Sequence, residues 1–411
     1  MSIELRPFED ADATQVRDLL SLSFAETITD EDWTVELNVH EPERGLVAVD
    51  GKEVVGYACI YSLSMTVPGG PAPVAGVSMV TVKPTHRRKG ILRQLMSRQL
   101  TGLYESGAEP VAALTASEPE IYGRFGYGLA SEHLRLTIPR KPGQLRSVPG
   151  VEDVEVRYAD VAESLDECTR IHNEVAATRV GMFQHNGGWP AYVSNELVLA
   201  GGTGGGSSAA RCVLARKDGS LTGYAYFRTK RAVENNAARN TVLVDRVHAT
   251  DLASYVALWR FLLDQDLMTE TRFGRFALDD PFMTLLLNGR PAQPQLFDGL
   301  WIRLVDFPRA LAARTYENEV DVVLGVRDEF CPWNEGSWRL TGGPGGATCE
   351  RTTQAPDLLA DVRDYGALYL GRPGLTRLAD AGLVEELTPG ALLRTSQAFR
   401  TERLPWLDTG F

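Results

Sequence analysis

A short basic segment follows a run of β-branched residues early in the chain. Val80–Val82 lead into Thr85–Gly90, which read Thr-His-Arg-Arg-Lys-Gly, and a helix-like apolar pattern begins at Ile91. The first N–H groups of a helix have no partner within it, and together with the helix dipole they attract anions. Glycine lets the backbone approach a bulky anion closely. The pattern therefore predicts a site for a phosphate-bearing ligand. The candidate contacts in this turn and helix start are Arg87, Arg88, Lys89, Gly90 and Arg93.

Two common phosphate-binding motifs are absent from this turn. A P-loop requires GxxxxGK[ST] and a dinucleotide fold requires GxGxxG, and residues 85–90 match neither pattern. The glycine-rich Gly342–Gly346 is not followed by Gly-Lys-Ser/Thr, so it predicts a turn between strands. The histidines and cysteines lack metal-ligand spacing, so we expect no metal and free thiols in a reducing cytoplasm.

Regular elements are predicted on both sides of the basic turn. Val77–Val82 predicts a strand, and the apolar spacing after the turn predicts an amphipathic helix that ends near Gly107. Asp50-Gly51 lies between two apolar runs and predicts a tight hairpin, and a second hairpin is expected near Pro68–Pro73. Val111–Leu114 predicts the next buried strand. The first part of the chain is therefore expected to be mixed α/β.

The middle of the chain repeats this organisation. Asp50-Gly51 followed by Gly56-Tyr57-Ala58 has a counterpart in Asp218-Gly219 followed by Gly223-Tyr224-Ala225. A strand that enters a helix follows each of them. The second repeat has Val247–Asp251 where the first has its basic turn, without equivalents of its arginines and glycine. We therefore expect a degenerate second fold that lacks a cofactor site.

The last part of the chain has a different pattern. Alternating apolar residues in Val320–Val326 predict a half-buried strand, and helices are expected around Pro356–Leu370, Leu375–Leu383 and Ala391–Phe399. Gly201–Ser208, within the repeat, predicts a flexible loop. The sequence thus predicts α/β domains followed by an α+β domain. The predicted ranges are 1–148, 149–297 and 298–411.

Composition limits the classes of partner. The 411 residues carry a formal net charge of −12, which argues against nucleic acid, because phosphate binding needs a basic surface. An acidic surface favours cationic partners through electrostatic steering. The N-terminus lacks a basic and then apolar signal segment, and apolar runs are far shorter than the roughly 20 residues of a membrane span. We expect a cytoplasmic protein without membrane contact.

Two longer motifs resemble a known family. VTVKPTHRRKGILRQLM and ASEPEIYGRFGYG together resemble the Eis (enhanced intracellular survival) acetyltransferases of the GNAT superfamily. DGLWIRLVDFPRALAARTY and YGALYLGRP are similar to that family's third, sterol-carrier-like domain. The resemblance covers most of the chain in order, and it implies tandem GNAT folds, the second degenerate, followed by a sterol-carrier-like domain. The GNAT turn is written Arg/Gln-x-x-Gly-x-Gly/Ala, and Leu92 departs from its last, small position.

The resemblance implies acetyl-CoA as cosubstrate. An amine would attack the thioester carbonyl directly, and coenzyme A would leave as a thiolate. The acetyl-CoA strand of the family corresponds to Val80, Thr81 and Val82, and the pyrophosphate turn corresponds to Arg88–Arg93, which includes Ile91 and Leu92. A further contact pair corresponds to Ser117 and Glu118. A splay of the strand in GNAT folds frees backbone N–H groups, so the N–H of Val80 is expected to face the developing oxyanion.

The family resemblance also supplies an acid and a base. The general acid corresponds to Tyr122, a phenol that keeps its proton at neutral pH, although residue type alone would allow Tyr127. Ser117 and Glu120 match a capping box that would start a short helix before Tyr122. The general base corresponds to the terminal carboxylate of Phe411. The apolar tail before it predicts docking, and Gly410 replaces an acidic residue of the family pattern.

The implied substrates are amines of aminoglycosides, acetylated at several positions in an acidic groove. Glu26 corresponds to an acidic groove position, and Trp33 and Met79 are expected to line the same cleft. His86 is expected to cap or pack within the turn. The resemblance implies a homohexamer. Two alternatives stay open: a protein or peptide lysine N-acetyltransferase, and a non-catalytic lipid or small-ligand binding protein.

Overall fold

The computed structural model describes residues 3–141, 144–199 and 206–411, which form two compact units. The first unit comprises Met1–Ser131, Val180–Phe183 and Asp298–Phe411, and the second comprises Glu132–Arg179 and Gln184–Phe297. Most of the flexible loop predicted at Gly201–Ser208 lies outside the described residues. Among the residues that are described, no helix combines the length and apolar character needed to cross a membrane.

The first part of the chain forms the predicted hairpins and helix. Gly51 adopts a φ of 67° in the first hairpin turn, and the basic turn leads into a helix that stops at Gly107, whose φ is 63°. The strands form a seven-stranded sheet in the order β1-β2-β3-β4-β5-β16-β6, in which β16 (Leu300–Leu304) comes from the last part of the chain. The elements of this part are β1 (Glu4–Pro7), α1 (Ala13–Phe24), α2 (Asp30–Glu36), β2 (Leu46–Asp50), β3 (Glu53–Val67), β4 (Gly70–Val82), α3 (Ile91–Ser106), β5 (Val111–Thr115) and β6 (Gly128–Leu129).

Helix α3 is held to this sheet by its apolar face. Leu95, Met96 and Leu100 are fully buried, and Met96 and Leu100 belong to a core cluster with Ala75 and Val77 of β4. Burial of each such side chain contributes about 1.5–3 kcal/mol. The start of α3, and with it the basic turn, is therefore fixed relative to β4.

The second unit repeats the strand and helix order of the first. Its sheet has the order β15-β7-β14-β13-β10-β9-β8, and Asp218-Gly219 forms the predicted turn between β9 and β10. The strand Glu132–Pro139 pairs with Met268–Ala277 in this sheet, although the sequence boundary at residue 148 groups it with the first domain. The elements are β7 (Glu132–Pro139), β8 (Glu155–Ala159), α4 (Leu165–Ala176), α5 (Trp189–Leu199), β9 (Arg211–Lys217), β10 (Ser220–Lys230), β11 (Val233–Glu234), β12 (Ala237–Ala238), β13 (Asn240–Ala249), α6 (Leu252–Leu263), β14 (Met268–Ala277), α7 (Phe282–Leu285) and β15 (Gln295–Asp298).

The start of α6 explains why the repeat differs from the first fold. Asp251 caps α6, because its carboxylate accepts a 3.0 Å hydrogen bond from the N–H of Ser254 and a 2.8 Å bond from the Ser254 hydroxyl. A carboxylate at this position uses a helix N–H group and repels anions. The N-terminus that corresponds to α3 is therefore closed to a phosphate in the second unit.

The last part of the chain adds one strand to the first sheet and a sheet of its own. Strand β16 lies between β5 and β6, a pairing that the sequence patterns did not predict. The second sheet has the order β19-β18-β17-β20-β21. The elements are β16 (Leu300–Leu304), α8 (Phe307–Ala312), β17 (Val320–Arg327), β18 (Gly336–Gly343), β19 (Gly346–Arg351), β20 (Leu358–Asp361), α9 (Val362–Leu368), α10 (Leu375–Asp380), β21 (Val384–Glu386) and α11 (Ala391–Phe399).

The helix predicted around Pro356–Leu370 is wrong in its first part. Leu358–Asp361 forms β20 and pairs in parallel with β17, and only Val362–Leu368 is helical. Leu358 and Ala360 point to the buried side with the alternation of a strand. Four residues are too few for sequence periodicity to separate a short strand from the helix that follows it.

Asp364 in α9 gives a prediction for stability. Burial raises the pKa of its carboxyl group from the usual value to about 6. Because the folded pKa lies above the unfolded pKa, this group contributes stability below about pH 4 and loses it as pH rises through 6. We expect Asp364→Asn to raise the free energy of unfolding at pH 8 by about 1–3 kcal/mol and to have little effect at pH 4.

The measurement is thermal or urea unfolding of both proteins from pH 4 to pH 8. Asp361→Asn is the comparison variant, because asparagine caps the same helix equally well and the charge of Asp361 raises the pKa of Asp364 less than burial does, so its effect should have the same direction and be much smaller. The prediction fails if Asp364→Asn changes stability by the same amount at every pH, or if the comparison variant shows an equally large pH dependence.

Candidate active site

Strand β4 leaves its neighbour β5 at the centre of the first sheet. The two strands pair from Val74–Val111 to Gly76–Ala113, and β4 continues for six residues beyond that point. On the opposite side the register with β3 shifts between Tyr57 and Cys59, and Met79 has a φ of 52°. Such a bulge redirects the backbone and is common beside active sites. The predicted splay is therefore present, and Val80 follows the bulge directly.

The basic turn joins this strand to an uncapped helix. Gly90 is the N-cap of α3 with a φ of 80°, and no side chain forms a capping hydrogen bond there. Arg88 also has a positive φ of 63°, and the side chains of Arg87, Arg88 and Lys89 are exposed. The first N–H groups of α3 and three cations therefore surround one open helix start. This arrangement fits the pyrophosphate of coenzyme A.

Two residues of the turn take structural positions. His86 Nδ1 lies 2.9 Å from the Thr85 hydroxyl, and its Nε2 lies 3.3 Å from a carboxylate oxygen of Asp50. The histidine thus ties the turn to the first hairpin, as the packing interpretation predicts. Leu92, which departs from the GNAT pattern, is half-buried against the core cluster beside α3 and does not displace the helix start.

Tyr122 lies in a short 3-10 helix after β5, but the predicted capping box does not form. The helix spans Pro119–Phe125, its N-cap is Glu118, and no side chain caps it. Proline at the first position presets the helical φ, which accounts for a start at Pro119 without help from Ser117. Ser117 and Glu118 are both exposed on the approach to this helix.

The environment of Tyr122 suits a proton donor. Its ring is half-buried and packs, with Val80 and Leu92, against the same core cluster. Burial, followed by the negative charge of Glu118, raises the pKa of the phenol to about 12. Tyr122 therefore keeps its proton throughout the neutral range.

The alternative acid, Tyr127, is placed differently. It is 0 % exposed, and its ring centroid lies 6.0 Å from that of Tyr122 in an edge-to-face contact. Its hydroxyl has no hydrogen-bond partner among the described residues, and burial raises the pKa of the phenol far above its usual value. A buried hydroxyl cannot reach a bound substrate, so the geometry favours Tyr122.

The C-terminal tail docks, as its composition predicts. Pro405–Thr409 are buried, and the N–H of Trp406 donates a 2.8 Å hydrogen bond to the carbonyl of Val180. Val180–Phe183 is itself bound to the end of β3 through 2.8 Å bonds between Thr66 and both Gly181 and Met182. This short segment, taken from the middle of the chain, was not identified from the sequence.

The last residue reaches the point where β4 and β5 separate. The ring of Phe411 contacts the ring of Phe183 edge-to-face, with centroids 5.8 Å apart. It also covers Gly76, because a Cβ atom added there would lie 3.1 Å from Phe411 Cε2. Gly76 ends the β4–β5 pairing, so the chain terminus lies beside the opening that leads to Val80.

The three predicted substrate residues differ in exposure. Glu26 is exposed just after α1, and among the described residues it forms no ion pair. Trp33 is only 9 % exposed in α2 and packs against the ring of His40, with centroids 6.1 Å apart. Met79 is half-buried at the β4 bulge. Glu26 and Met79 are thus the more accessible members of this set.

Comparison with family models identifies three domains. Residues 4–130 and 182–304 each match a model described as an acetyltransferase (GNAT) domain. Residues 307–408 match a sterol carrier protein domain. These matches confirm the predicted order of two GNAT folds followed by a sterol-carrier-like domain.

Relatives and solved structures agree with this order. An N-acetyltransferase of Streptomyces avermitilis, named as uncharacterized, is 43% identical over 372 residues, which cover 90% of each chain. The N-acetyltransferase Eis of Mycobacterium tuberculosis is 33% identical over 396 residues, 93% of each chain. The crystal structure of Eis1 from Mycobacterium abscessus covers all of both chains with a TM-score of 0.84 and 30% identity.

Proposed function

Since this chain belongs to the Eis family of N-acetyltransferases in the GNAT superfamily, we propose that it acetylates primary amines of polycationic small molecules. Family membership makes it an acetyl-CoA-dependent acetyltransferase, and the acceptor class is the proposal. Aminoglycosides, modified at several positions, are the acceptors proposed. The observation that carries the acetyl transfer is the separation of β4 from β5 beside the open, basic start of α3, and the net charge of −12 supports a cationic acceptor.

The proposed acetyl-CoA site uses β4 and the turn after it. Acetyl-CoA, when bound, supplies the acetyl group as a thioester. The strand Val80–Val82 and the residues Arg87–Arg93 would hold it, with Ser117 and Glu118 as further contacts. The backbone N–H of Val80 would donate to an oxygen that gains negative charge, because the β4–β5 pairing has already ended at Gly76.

Tyr122 is proposed as the general acid. A pKa raised to about 12 keeps the phenol protonated at pH 7, so that it can donate its proton to a leaving thiolate. Its packing beside Val80 supports this role, since both side chains contact one core cluster. Tyr122 would be regenerated by taking a proton from solvent.

The terminal carboxylate of Phe411 is proposed as the general base. An α-carboxylate is ionised at pH 7 and would accept a proton either from the substrate ammonium group before attack or from the amine nitrogen as it attacks. Docking of the tail on Val180–Phe183 and contact of the Phe411 ring with Gly76 support a fixed position for this group. Most chain termini lack such anchors.

The acceptor is proposed from charge and exposure. A net charge of −12 attracts polycations, and Glu26 presents an exposed carboxylate near the end of α1, with Trp33 and Met79 proposed beside it. An open acidic surface binds an amine-rich ligand in more than one orientation, which agrees with acetylation at several positions. A homohexamer in the cytoplasm is proposed from family kinship, and light scattering of the purified protein measures its mass.

An acceptor screen tests this function. Coenzyme A release is measured with acetyl-CoA and either aminoglycosides, small linear polyamines or lysine peptides. We expect aminoglycosides to give kcat/KM at least about tenfold above lysine peptides, because one extra buried ion pair suffices for that ratio.

Fully N-acetylated aminoglycoside is the matched control and should release no coenzyme A. Turnover of lysine peptides alone would replace the proposed acceptor with a protein substrate. Thermal stabilisation by acetyl-CoA without release for any amine would indicate a non-catalytic binding protein instead.

A further inference from the structure

Two phenylalanine rings join the last part of the chain to the candidate active site. The ring centroids of Phe125 and Phe330 lie 5.0 Å apart at an angle of 67°. Phe125 belongs to the short helix that carries Tyr122, whereas Phe330 lies in the loop between β17 and β18. We call Phe125 and Phe330 the aromatic pair. Its edge-to-face geometry is one that aromatic rings prefer.

Each ring of the aromatic pair lies under a guanidinium group. Arg93 Cζ is 5.0 Å from the centroid of Phe330, and Arg124 Cζ is 5.1 Å from the centroid of Phe125. Both arginines are exposed, and across residues 3–141 and the other described ranges neither has a carboxylate within ion-pair distance. A ring face orients a guanidinium group and leaves its N–H groups free for an anion.

The loop that presents Phe330 is fixed by a buried ion pair. Asp328 and Arg303 are both almost fully buried, with 2.6 Å between a carboxylate oxygen and Nη2. The same carboxylate accepts a 3.0 Å bond from the N–H of Cys331 and a 2.9 Å bond from the amide of Asn334. Arg303 belongs to β16 of the first sheet. Phe330 is therefore held in a constant position beside α3.

We propose that Phe330 is a positioning residue for the phosphates of coenzyme A, acting through Arg93 and Arg124. Coenzyme A carries a pyrophosphate and a separate ribose phosphate, whereas one helix N-terminus is equivalent to only about half a positive charge. The aromatic pair orients two cations, Arg93 in the first turn of α3 and Arg124 in the short helix that carries Tyr122. Arg124 is thereby a phosphate contact that the basic turn does not include. This inference rests on the proposed acetyl-CoA site.

Simple packing of the loop on α3 is the competing explanation. The same loop makes a second aromatic contact with this helix, where the rings of Tyr104 and Trp333 stack with centroids 4.6 Å apart. Tyr104 is 40% exposed and lies three turns further along α3, away from the arginines. Tyr104→Ala therefore removes a comparable contact without affecting the cations, and it serves as the matched control.

The experiment measures the Kd of coenzyme A by titration calorimetry, together with kcat and the KM for acetyl-CoA. We expect Phe330→Leu to weaken coenzyme A binding about threefold to tenfold and to leave kcat nearly unchanged, because the ring face is lost while the volume is kept. Phe330→Tyr should restore wild-type affinity. In a protein that already carries Arg93→Gln and Arg124→Gln, Phe330→Leu should cause no further loss.

Three results would overturn the inference. They are wild-type affinity in Phe330→Leu, the same weakening in Phe330→Tyr, and an equal weakening in Tyr104→Ala. If Phe330→Leu lowers the melting temperature, two measurements still distinguish a positioning role from simple packing. They are the coenzyme A affinity of Phe330→Tyr and the effect of Phe330→Leu in the protein that carries Arg93→Gln and Arg124→Gln. A wild-type protein that does not bind coenzyme A would refute the proposed function itself, whereas tight binding that is insensitive to Phe330 refutes only the role of the aromatic pair.

Discussion

Adding two glycines after Phe411 lowers kcat about 100-fold or more and leaves the Kd of coenzyme A within about twofold. The extension removes the carboxylate from Phe411 and carries it as much as about 7 Å away. General base catalysis contributes typically 10²–10⁴-fold, so loss of its position should reduce turnover by that order. The basic turn and α3 remain intact, because the tail contacts Gly76 and Val180–Phe183 and not the phosphate-binding residues.

Phe411→Leu is the control that separates the ring from the carboxylate. It keeps the chain length and the terminal carboxylate, and it loses only the edge-to-face contact with Phe183. We expect a smaller fall in kcat, about threefold to tenfold, which matches the order of 0.5–1.5 kcal/mol for one aromatic pair. Steady-state kinetics and calorimetry of both variants measure this. Full activity in the extended protein would rule out the terminal carboxylate as base.

Local signals in the sequence predicted the elements that surround the site. Asp50-Gly51 specified a hairpin because its turn needs a positive φ, and Gly51 has one. The apolar spacing of α3 and its stop at Gly107 were predicted because helix periodicity and a left-handed C-cap are short-range features. The strand, the turn and the start of the helix in Val80–Arg93 were therefore predicted together and in the correct order.

Long-range pairings were not predictable in the same way. Nothing in the residues of β16 indicates that it lies between β5 and β6, because strand partners far apart in sequence leave no local pattern. The segment Val180–Phe183 likewise contacts both β3 and the tail at a distance of more than one hundred residues. The sequence indicated that the tail would dock, and the structure was needed to show where.

Residue type could not distinguish the two tyrosines of the motif IYGRFGYG. Tyr122 and Tyr127 differ in burial, and the turn between them, at Gly126, packs against Arg303 of a distant strand. A Cβ atom at Gly126 would lie 2.2 Å from Arg303 Nη1, so glycine and the buried arginine occupy the space behind the turn together. Tyr127 is fully buried behind the turn, whereas Tyr122 is only half-buried. The motif resemblance selected Tyr122, and exposure gives the physical reason for preferring it.

Tyr122→Phe should lower kcat about 100-fold or more while the Kd of coenzyme A stays within about twofold. The substitution keeps the ring that packs beside Val80 and removes only the proton donor. Tyr127→Phe is the matched control, since it removes a hydroxyl that has no partner in the described part of the chain. We expect that control to leave kcat nearly unchanged and stability equal or slightly higher, because an unsatisfied buried hydroxyl is destabilising.

The pH dependence of kcat tests the same assignment independently. Burial raises the pKa of Tyr122 to about 12, so the phenol remains protonated on the alkaline side, and its contribution is lost only as pH approaches that value. We therefore expect kcat to rise with pH as the amine and the terminal carboxylate lose protons, and then to stay level through about pH 10. An exposed tyrosine would titrate near pH 10, and kcat would begin to fall there.

A fall of kcat with an apparent pKa near 10, absent from Tyr122→Phe, would mean that the phenol is more solvated than its burial indicates. A level profile together with full activity in Tyr122→Phe would instead remove Tyr122 as the acid.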